Sequence, residues 1–488
     1  MKINFSWYVS SRLSFWVGII AAGVGLVLGI LAGTQPLLLC LAISAIILVI
    51  YFCTNFEQAV LGLLIIRSSL DVFSEQQVPA IFAVGLDGLA ILYVTLRLLM
   101  GRKVQTDRFW CFFAVWVGLQ GFWVILIPLD RLDTLYLSES IPEWVRLFSW
   151  LMVYLLVMQL KGKVHPLKII NALFLSLVAP LTAALLQIFL PAHLLPSFLA
   201  YRAQAFTSIE GAARINGTLG HPNAFATFIL LFIGLTCWKL EQSKHRRLWL
   251  VLLGILIFLI TSTKALVALA MTGVFMFVLV APRLTLGKLI SGIVLIVAVI
   301  GLFASTEFGQ ERLASLTNTP LLNPDLDIYQ AILLKHSGQV NSFNWRLNQW
   351  VSLLQVWRYA PILGHGLGTD TFLGDVRAAA HNDYIRFLVE EGIVGFTTFI
   401  AFLGANYWRL TRVLFSADKG SPQRNLCLVM IAILIAINVG MLTDNIWSNT
   451  TFFYYWLTVL VIVSWDWKEI NTLENEKNNY FETEKYSQ

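Results

Sequence analysis

The chain has 488 residues, of which 58% are hydrophobic and only 13% are charged, and its mean hydropathy is +0.73. Soluble globular domains carry roughly 25% charged residues, so the composition excludes that class and indicates apolar helices in a membrane. The net charge of +6 does not indicate a nucleic-acid partner, because the Lys and Arg residues lie in short loops between apolar segments, where they orient helices.

Apolar segments of about 17–25 residues, the length that crosses a bilayer, recur along almost the whole chain. They predict an all-α, polytopic helical membrane protein with about 12–14 transmembrane helices. The third segment is short and contains Arg67, so it could be tilted or re-entrant. The predicted spans begin near residues 15, 36, 57, 80, 109, 142, 167, 222, 247, 264, 286, 384, 426 and 451.

The loops between these segments differ in charge. Alternate loops, such as "GRKVQTDR" and "KGKVHPLK", are short and basic, and the loops between them are acidic or merely polar. The positive-inside bias therefore predicts that both termini are cytoplasmic. It places two long segments, residues 191–221 and 305–383, on the external side.

The external segment 305–383 is too long for a structureless loop in a compact protein, so we expect it to fold over the mouth of the bundle. Its part "NSFNWRLNQWVSLLQVWRYAP" has apolar residues at helical spacing, which predicts an amphipathic helix at the membrane surface. "PILGHGLGT" then predicts a glycine-rich turn. Asp325 and Asp327 have the Asp-x-Asp spacing of many metal-dependent glycosyltransferases, but this spacing is also common by chance.

The stretch "AHNDYIRFLVEEGIVG" places polar side chains at the start of a predicted membrane helix. Helical spacing would put His381 on one face with Gly392 and Gly395, two glycines that permit close helix packing. His381 could accept a proton from a substrate or donate a hydrogen bond to it. The alternative is an ordinary polar helix start with Asn382 or Asp383 as the cap.

Four cations lie at the external ends of predicted helices or in external loops. Arg202 and Arg214 precede a helix N-terminus, which suits an anionic group. Lys264 interrupts a long apolar stretch, where a cation is costly without an anionic partner. Arg346 lies in a Trp-rich segment that could bind a sugar or a lipid. The alternative for these residues is an ordinary contact with the membrane surface, as when Arg214 or Lys264 extends to the lipid headgroups.

Two pairs of opposite charge are spaced at i and i+4. Arg67 and Asp71 form one pair, which could also face a substrate cavity. Arg386 and Glu390 form the other, and they would compensate each other at the membrane boundary.

Four motifs occur in order: "RINGTLGHPNAFATF", "TSTKAL", "WRLNQWVSLLQVWRYAPILGHGLGT" and "AHNDYIRFLVEEGIVG". As an ordered set, they resemble the O-antigen ligase / O-antigen polymerase superfamily of bacterial envelope proteins, over roughly residues 201–402. The expected organisation is N-terminal transmembrane helices in 1–200, an O-antigen ligase-like core in 201–410 with its external loop 305–383, C-terminal transmembrane helices in 411–467, and a cytoplasmic tail in 468–488.

The resemblance implies a GT-C-like fold in the bacterial inner membrane and a metal-independent glycosyl transfer without a cofactor. A glycan would move from an undecaprenyl-pyrophosphate carrier to a hydroxyl of a lipid or glycan acceptor at the external face, among membrane lipids and other polysaccharide-assembly proteins. The family often has Arg where this chain has Lys264, and a lysine lacks the bidentate fork.

Fixed cations would stabilise the pyrophosphate leaving group, and a base would deprotonate the acceptor. The candidate residues are Arg202, Arg214, Lys264 and Arg346 for pyrophosphate, His381 for catalysis, and His221, Asn382 and Glu391 in support.

Two other functions compete with transfer. A many-helix bundle with buried charges could carry a small solute such as bicarbonate, or could flip the lipid-linked glycan. However, the chain has no internal repeat of the kind that many transporters show, and its charges cluster at the external boundary.

Overall fold

A computed structural model describes residues 36–131, 134–199, 214–263, 265–280, 342–374 and 378–467, together with the single residues 287, 290 and 310. The chain divides into two compact units, Met1–Val60 and Leu61–Gln488. The second unit contains all the residues of the candidate site.

Within the described ranges the regular structure is helical and contains no strand. This confirms the prediction of an all-α protein, whereas the GT-C-like likeness and the sidedness of the termini stay predictions. The α-helices are α1 (Pro36–Thr54), α2 (Phe56–Arg67), α3 (Val78–Leu99), α4 (Arg108–Arg131), α5 (Thr134–Met158), α6 (Pro166–Leu175), α7 (Val178–Phe189), α8 (Pro222–Gln242), α9 (Arg246–Ser262), α10 (Leu266–Val280), α11 (Ser342–Trp357), α12 (Asp383–Ser416), α13 (Pro422–Gly440) and α14 (Thr450–Val463).

Among the described residues, 7 helices are long and apolar enough to cross a membrane, and up to 8 are if the consecutive helices Ile43–Thr54 and Phe56–Arg67 count as one broken span. The protein is therefore a multi-pass membrane protein. The helix starts agree with the predicted starts to within a few residues, except that α5 begins at Thr134. The spans expected near residues 15 and 286 fall mostly or wholly outside the described residues, so the total of about 12–14 stays a prediction.

Two of the helices near the site begin with a side-chain cap. His221 precedes Pro222, and its ring accepts a hydrogen bond from the backbone N–H of Asn223. Asn382 accepts from the backbone N–H groups of Tyr384 and Ile385, which starts α12 at Asp383. Because a cap satisfies N–H groups that have no partner within the helix, both caps fix where the chain enters the membrane bundle.

The short helix α14 lies at the centre of the bundle, and nearly all its side chains are buried. The ring of Phe453 stacks on that of Trp150, with centroids 4.3 Å apart. Trp447 packs edge-on against Phe453 at 4.9 Å and against Phe399 of α12 at 5.1 Å. These rings anchor the turn between α13 and α14, which forms part of the candidate site.

Helix α12 is broken at Gly392, where φ is 65° and ψ is −167°. The break lets the backbone N–H of Ile393 and of Val394 donate to the carbonyls of Pro361 (3.0 Å) and Ile362 (3.2 Å) in the glycine-rich turn. That turn was predicted, and Gly364 in it has a φ of 70°. The predicted continuous face from His381 to Gly392 and Gly395 is wrong, because the helix begins at Asp383 and its axis breaks at Gly392.

Candidate functional site

A cavity of about 460 Å³ lies beside the start of α12. Its lining comes from four parts of the chain: the segment from the end of α2 to the start of α3, the residues before α8 with its first turn, the segment just before α12, and the turn between α13 and α14 with the start of α14. The lining residues are Arg67, Asp71, Ser74, Pro79, Leu219, Gly220, His221, Asn223, Ala224, Ala379, His381, Asp444, Asn445, Ser448, Asn449, Thr450, Thr451 and Phe452.

His381 forms a pair with an acidic residue at this cavity. Its Nδ1 lies 3.3 Å from Oδ1 of Asp444, and the His381 side chain is 25% exposed whereas that of Asp444 is 5% exposed. The ring of Trp345 contacts the imidazole edge-on at 5.6 Å. If Nδ1 carries the proton that faces Asp444, the other ring nitrogen, Nε2, can accept a proton from a substrate.

The backbone at His381 has a φ of 48°, a left-handed conformation that residues other than glycine adopt rarely. Hydrogen bonds hold the residue before it from two sides. The N–H of Ala380 donates to Oδ2 of Asp370 at 2.8 Å, and the Trp350 indole donates to the carbonyl of Ala380 at 2.7 Å. The backbone immediately before His381 is therefore held in place by two hydrogen bonds, and this positions the imidazole.

The residues after His381 are bonded to the turn that contains Asp444. The side-chain N–H of Asn382 donates to the carbonyl of Leu442 at 2.8 Å. The carboxylate of Asp383 accepts from the N–H of Trp447 at 2.9 Å. These bonds hold the turn that contains Asp444 beside His381. Asn382 itself does not line the cavity; its side chain bonds to the backbone of that turn.

Asp444 was not among the residues predicted from the sequence. Burial raises the pKa of Asp444, but the hydrogen bond from His381 and the charges of His381 and Arg346 outweigh burial, so the pKa lies below the ordinary value. Asp444 is therefore a carboxylate at neutral pH. The signal in the sequence is one acidic residue in the short loop "TDNIWSNT".

His221, predicted as a supporting residue, also lines the cavity. Burial lowers its pKa to about 4, and the positive charges of Arg214, His381 and Arg346 lower it too, against the opposing effect of Asp444. Its ring is therefore neutral at pH 7. Because Nδ1 accepts from the N–H of Asn223, the proton of the neutral ring is assigned to Nε2.

The structure brings two of the four predicted cations to this region. Arg214 donates from Nη2 to Oδ1 of Asn223 at 2.9 Å and from Nε to the carbonyl of Thr263 at 3.0 Å. Arg346 lies on α11, where burial lowers its pKa and the charge of Asp444 raises it. The remaining predicted residues, Arg202, Lys264, Asp325 and Asp327, lie outside the described residues.

Glu391, the third supporting residue, is not brought to the cavity. It is buried in α12 and accepts a hydrogen bond at 2.8 Å from the side chain of Gln120 on α4. Its contact therefore joins two helices, and the structure gives it no contact with His381.

Arg386 lies one turn into α12 and is the centre of a buried charge cluster. Its Nε lies 3.0 Å from Glu390, which confirms the predicted pair. Its Nη2 lies 2.8 Å from Glu143 of α5, and its Nη1 donates to the hydroxyl of Ser448 at 2.9 Å. Asp370, which accepts from Ala380, lies 3.9 Å from the same guanidinium. The cluster thus ties α5, α12 and the α13–α14 turn together behind His381.

The predicted pair of Arg67 and Asp71 is also confirmed. Nη1 of Arg67 lies 2.6 Å from Oδ1 of Asp71, and both residues line the cavity. The N-terminal half of the chain therefore contributes one wall of the same cavity that contains His381.

Residues 248–400 match the family model described as O-antigen ligase. This segment is similar to the O-antigen ligase family. The match confirms the superfamily that the motifs resemble, and it includes Arg346, His381 and Arg386. The cavity also takes residues from outside the matched segment, among them Asp444 and Arg67. No curated protein matches the chain.

Proposed function

We propose that the protein is a membrane glycosyltransferase. It moves a glycan from an undecaprenyl-pyrophosphate carrier to an acceptor hydroxyl at the external face of the bacterial inner membrane, with both termini in the cytoplasm. The observation that carries this proposal is the pair of His381 and Asp444 at a polar cavity, within and beside the segment that is similar to the O-antigen ligase family.

His381 acts as the general base. The proton of the acceptor hydroxyl moves to Nε2 of the imidazole while the hydroxyl oxygen forms a bond to the anomeric carbon of the donor sugar. Asp444 accepts the hydrogen bond from Nδ1 and stabilises the imidazolium that results. This assignment is supported by the 3.3 Å separation and by the low exposure of Asp444.

The leaving group is the pyrophosphate of the carrier. The bond between the anomeric carbon and the phosphate oxygen breaks, and its electron pair stays on that oxygen. Fixed cations in a partly dry site stabilise the growing negative charge, and a guanidinium can bind phosphate oxygens with two parallel hydrogen bonds. Arg214 and Arg346 take this role here, with Arg202 and Lys264 assigned to it from the sequence.

The acceptor decides between two versions of the reaction. A ligase would transfer a finished chain to a lipid acceptor. A polymerase would transfer the growing glycan to another lipid-linked repeat unit. The family match supports the transferase and gives no support to a small-solute transporter.

The test is the envelope glycan profile, by gel and by extraction of the carrier lipid, in cells that lack the protein and in cells with the His381→Ala or Arg214→Ala variant at normal membrane levels. We expect single repeat units if the protein is a polymerase, and full-length chains stranded on the carrier if it is a ligase. Unchanged glycans in all three strains would overturn the proposal.

A further inference from the structure

The wall of the cavity formed by the end of α2 has no role in the proposed reaction. Arg67 and Asp71 contribute to this wall with Ser74 and Thr451. All four lie outside residues 248–400, the segment that matches the O-antigen ligase family. Their contribution to the cavity is therefore not covered by the family match.

Arg67 is buried, with a side chain only 4% exposed. Its guanidinium carbon lies 5.3 Å from the centroid of the Tyr454 ring. Its Nε is buried and has no hydrogen-bond partner among the described residues. Asp71 and Tyr454 therefore hold the Arg67 guanidinium in place, and Arg67 in turn fixes the Asp71 carboxylate at the cavity.

Asp71 is the more accessible member of the pair, with a side chain 21% exposed. Its Oδ1 contacts Arg67, and its Oδ2 accepts a hydrogen bond from the hydroxyl of Thr451 at 2.7 Å. A carboxylate has about four acceptor positions, so Asp71 retains the capacity to accept from a ligand hydroxyl.

The charge of this wall indicates which part of the lipid-linked glycan the wall can bind. The positive charge of Arg67 is compensated by Asp71 at 2.6 Å, so the pair is neutral as a unit. By contrast, the charges of Arg214 and Arg346 act on His221 at the same cavity, so that side of the cavity has two guanidinium groups nearby. A diphosphate suits the cationic region, whereas a neutral pair that offers both donors and acceptors suits uncharged hydroxyl groups.

We propose that Arg67, Asp71 and Ser74 form a subsite for the sugar hydroxyls of the lipid-linked glycan, and that Thr451 positions Asp71 in it. The inference rests on the proposed function, since it names the part of the same donor that this wall binds. The subsite selects the glycan, while the residues around His381 and Arg346 act on the reacting bond.

The test compares two lipids that differ only in the sugar. One probe is undecaprenyl pyrophosphate without a glycan, and the other is the undecaprenyl-pyrophosphate-linked glycan extracted from cells that lack the protein. Binding of each to the purified full-length protein is measured by its intrinsic tryptophan fluorescence. We expect Asp71→Asn to weaken binding of the glycan-bearing lipid by about tenfold, since hydrogen bonds to charged groups are the stronger ones, and to leave binding of the bare lipid unchanged.

Asp107 provides a matched control, because it also pairs with a buried arginine, Arg409, at 2.7 Å, and is 26% exposed. It does not line the cavity. Asp107→Asn should leave both affinities unchanged. Thr451→Val guards against a folding defect in Asp71→Asn, since it keeps both charges and removes only the hydroxyl that positions Asp71. It should produce the same selective loss, in a smaller amount.

Suppose that the wild-type protein binds and transfers. Equally weakened binding of both lipids by Asp71→Asn and Thr451→Val, or unchanged binding of both, would then overturn the subsite. If the wild-type protein fails to bind either lipid, the proposed function itself fails, and the subsite fails with it. Selective loss in Asp71→Asn and Thr451→Val, but not in Asp107→Asn, supports the subsite.

Discussion

At the scale of single residues, the site depends on how the imidazole of His381 is held. The residue has a φ of 48°, and a left-handed conformation of this kind costs roughly 1–3 kcal/mol, which the surrounding contacts must offset. Hydrogen bonds at Ala380 and Asn382 supply those contacts. The strained backbone thus fixes the direction of a side chain whose partner, Asp444, lies far away in the sequence.

Replacing Asp444 by Asn should slow transfer by about 10²-fold or more, because the imidazolium formed in the reaction loses its negatively charged partner while the shape of the side chain is kept. The measurement is the initial rate of glycan transfer by the purified protein in lipid vesicles. Asp418→Asn, in the turn between α12 and α13, is the control and should transfer normally. An Asp444→Asn protein with the wild-type rate would contradict the role of Asp444.

The stability of the site region should fall in mild acid because of His221. Its pKa is about 4 in the folded protein and 6.5 ordinarily, so the unfolded chain binds the proton first as the pH falls. The protein therefore loses stability between about pH 6.5 and pH 4, by about 3 kcal/mol from this group. Thermal unfolding in detergent at a series of pH values measures the loss.

His221→Asn is the matched variant, since asparagine keeps the cap of α8 without a group that titrates in this range. Its unfolding temperature should vary less with pH across the same window. The same acid dependence in both proteins would show that His221 is not its source.

Residue types and local spacing were enough to select His381, His221, Arg346 and the Arg67–Asp71 pair. They were not enough to select Asp444, because its contact with His381 spans 63 residues and depends on how the α13–α14 turn folds. Glu391 is the opposite case, a residue that the motif "AHNDYIRFLVEEGIVG" made a candidate although it does not line the cavity. Its carboxylate accepts a hydrogen bond from Gln120 on α4.

At the scale of elements, the break in α12 positions the glycine-rich turn. A Cβ on Gly392 would lie 2.3 Å from the carbonyl oxygen of Ile362, and its φ of 65° with ψ of −167° is a conformation that essentially only glycine adopts. Gly392→Ala should therefore destabilise the protein by at least about 2 kcal/mol and reduce transfer.

Gly404→Ala, in the same helix, is the control for this prediction, because no atom lies within 4 Å of the added Cβ. Thermal unfolding of the two variants beside the wild-type protein gives the comparison. Equal stability of the two alanine variants would show that the break is not needed.

The starts of most helices could be predicted because long apolar segments and polar caps are local features of the sequence. The break in α12 could not, because the residues on both sides of Gly392 are compatible with a helix and a single glycine inside a helical pattern is tolerated. What determines it is a set of hydrogen bonds to Pro361 and Ile362, which the helical period does not reveal.

At the scale of the whole molecule, the Arg386 cluster joins α5, α12 and the α13–α14 turn. Arg386→Met would leave Glu390 as a buried negative charge, whereas Glu143 would keep its pair with Arg146, and removing one partner of a buried ion pair costs about 3–5 kcal/mol. We expect a lower unfolding temperature and a loss of transfer. Arg412→Met replaces an exposed arginine of the same helix and should have little effect on either.

The all-α membrane class could be predicted from the amino-acid composition, and the family resemblance from the motifs. The set of residues that line the cavity could not be predicted from either. The motifs cover the part of the wall with His381, but Arg67 and Asp444 come from outside residues 248–400. Only the three-dimensional fold brings these distant parts of the chain to one cavity.

The most direct test of the central claim, that His381 is the base of a glycosyl transfer, is the rate of transfer by the purified protein with its extracted lipid-linked glycan. His381→Asn is the best variant, because asparagine tolerates the left-handed backbone and removes the imidazole. We expect a loss of about 10²–10⁴-fold with unchanged thermal stability, and no loss in His193→Gln, which changes an exposed histidine away from the cavity. Wild-type transfer by His381→Asn would contradict the account.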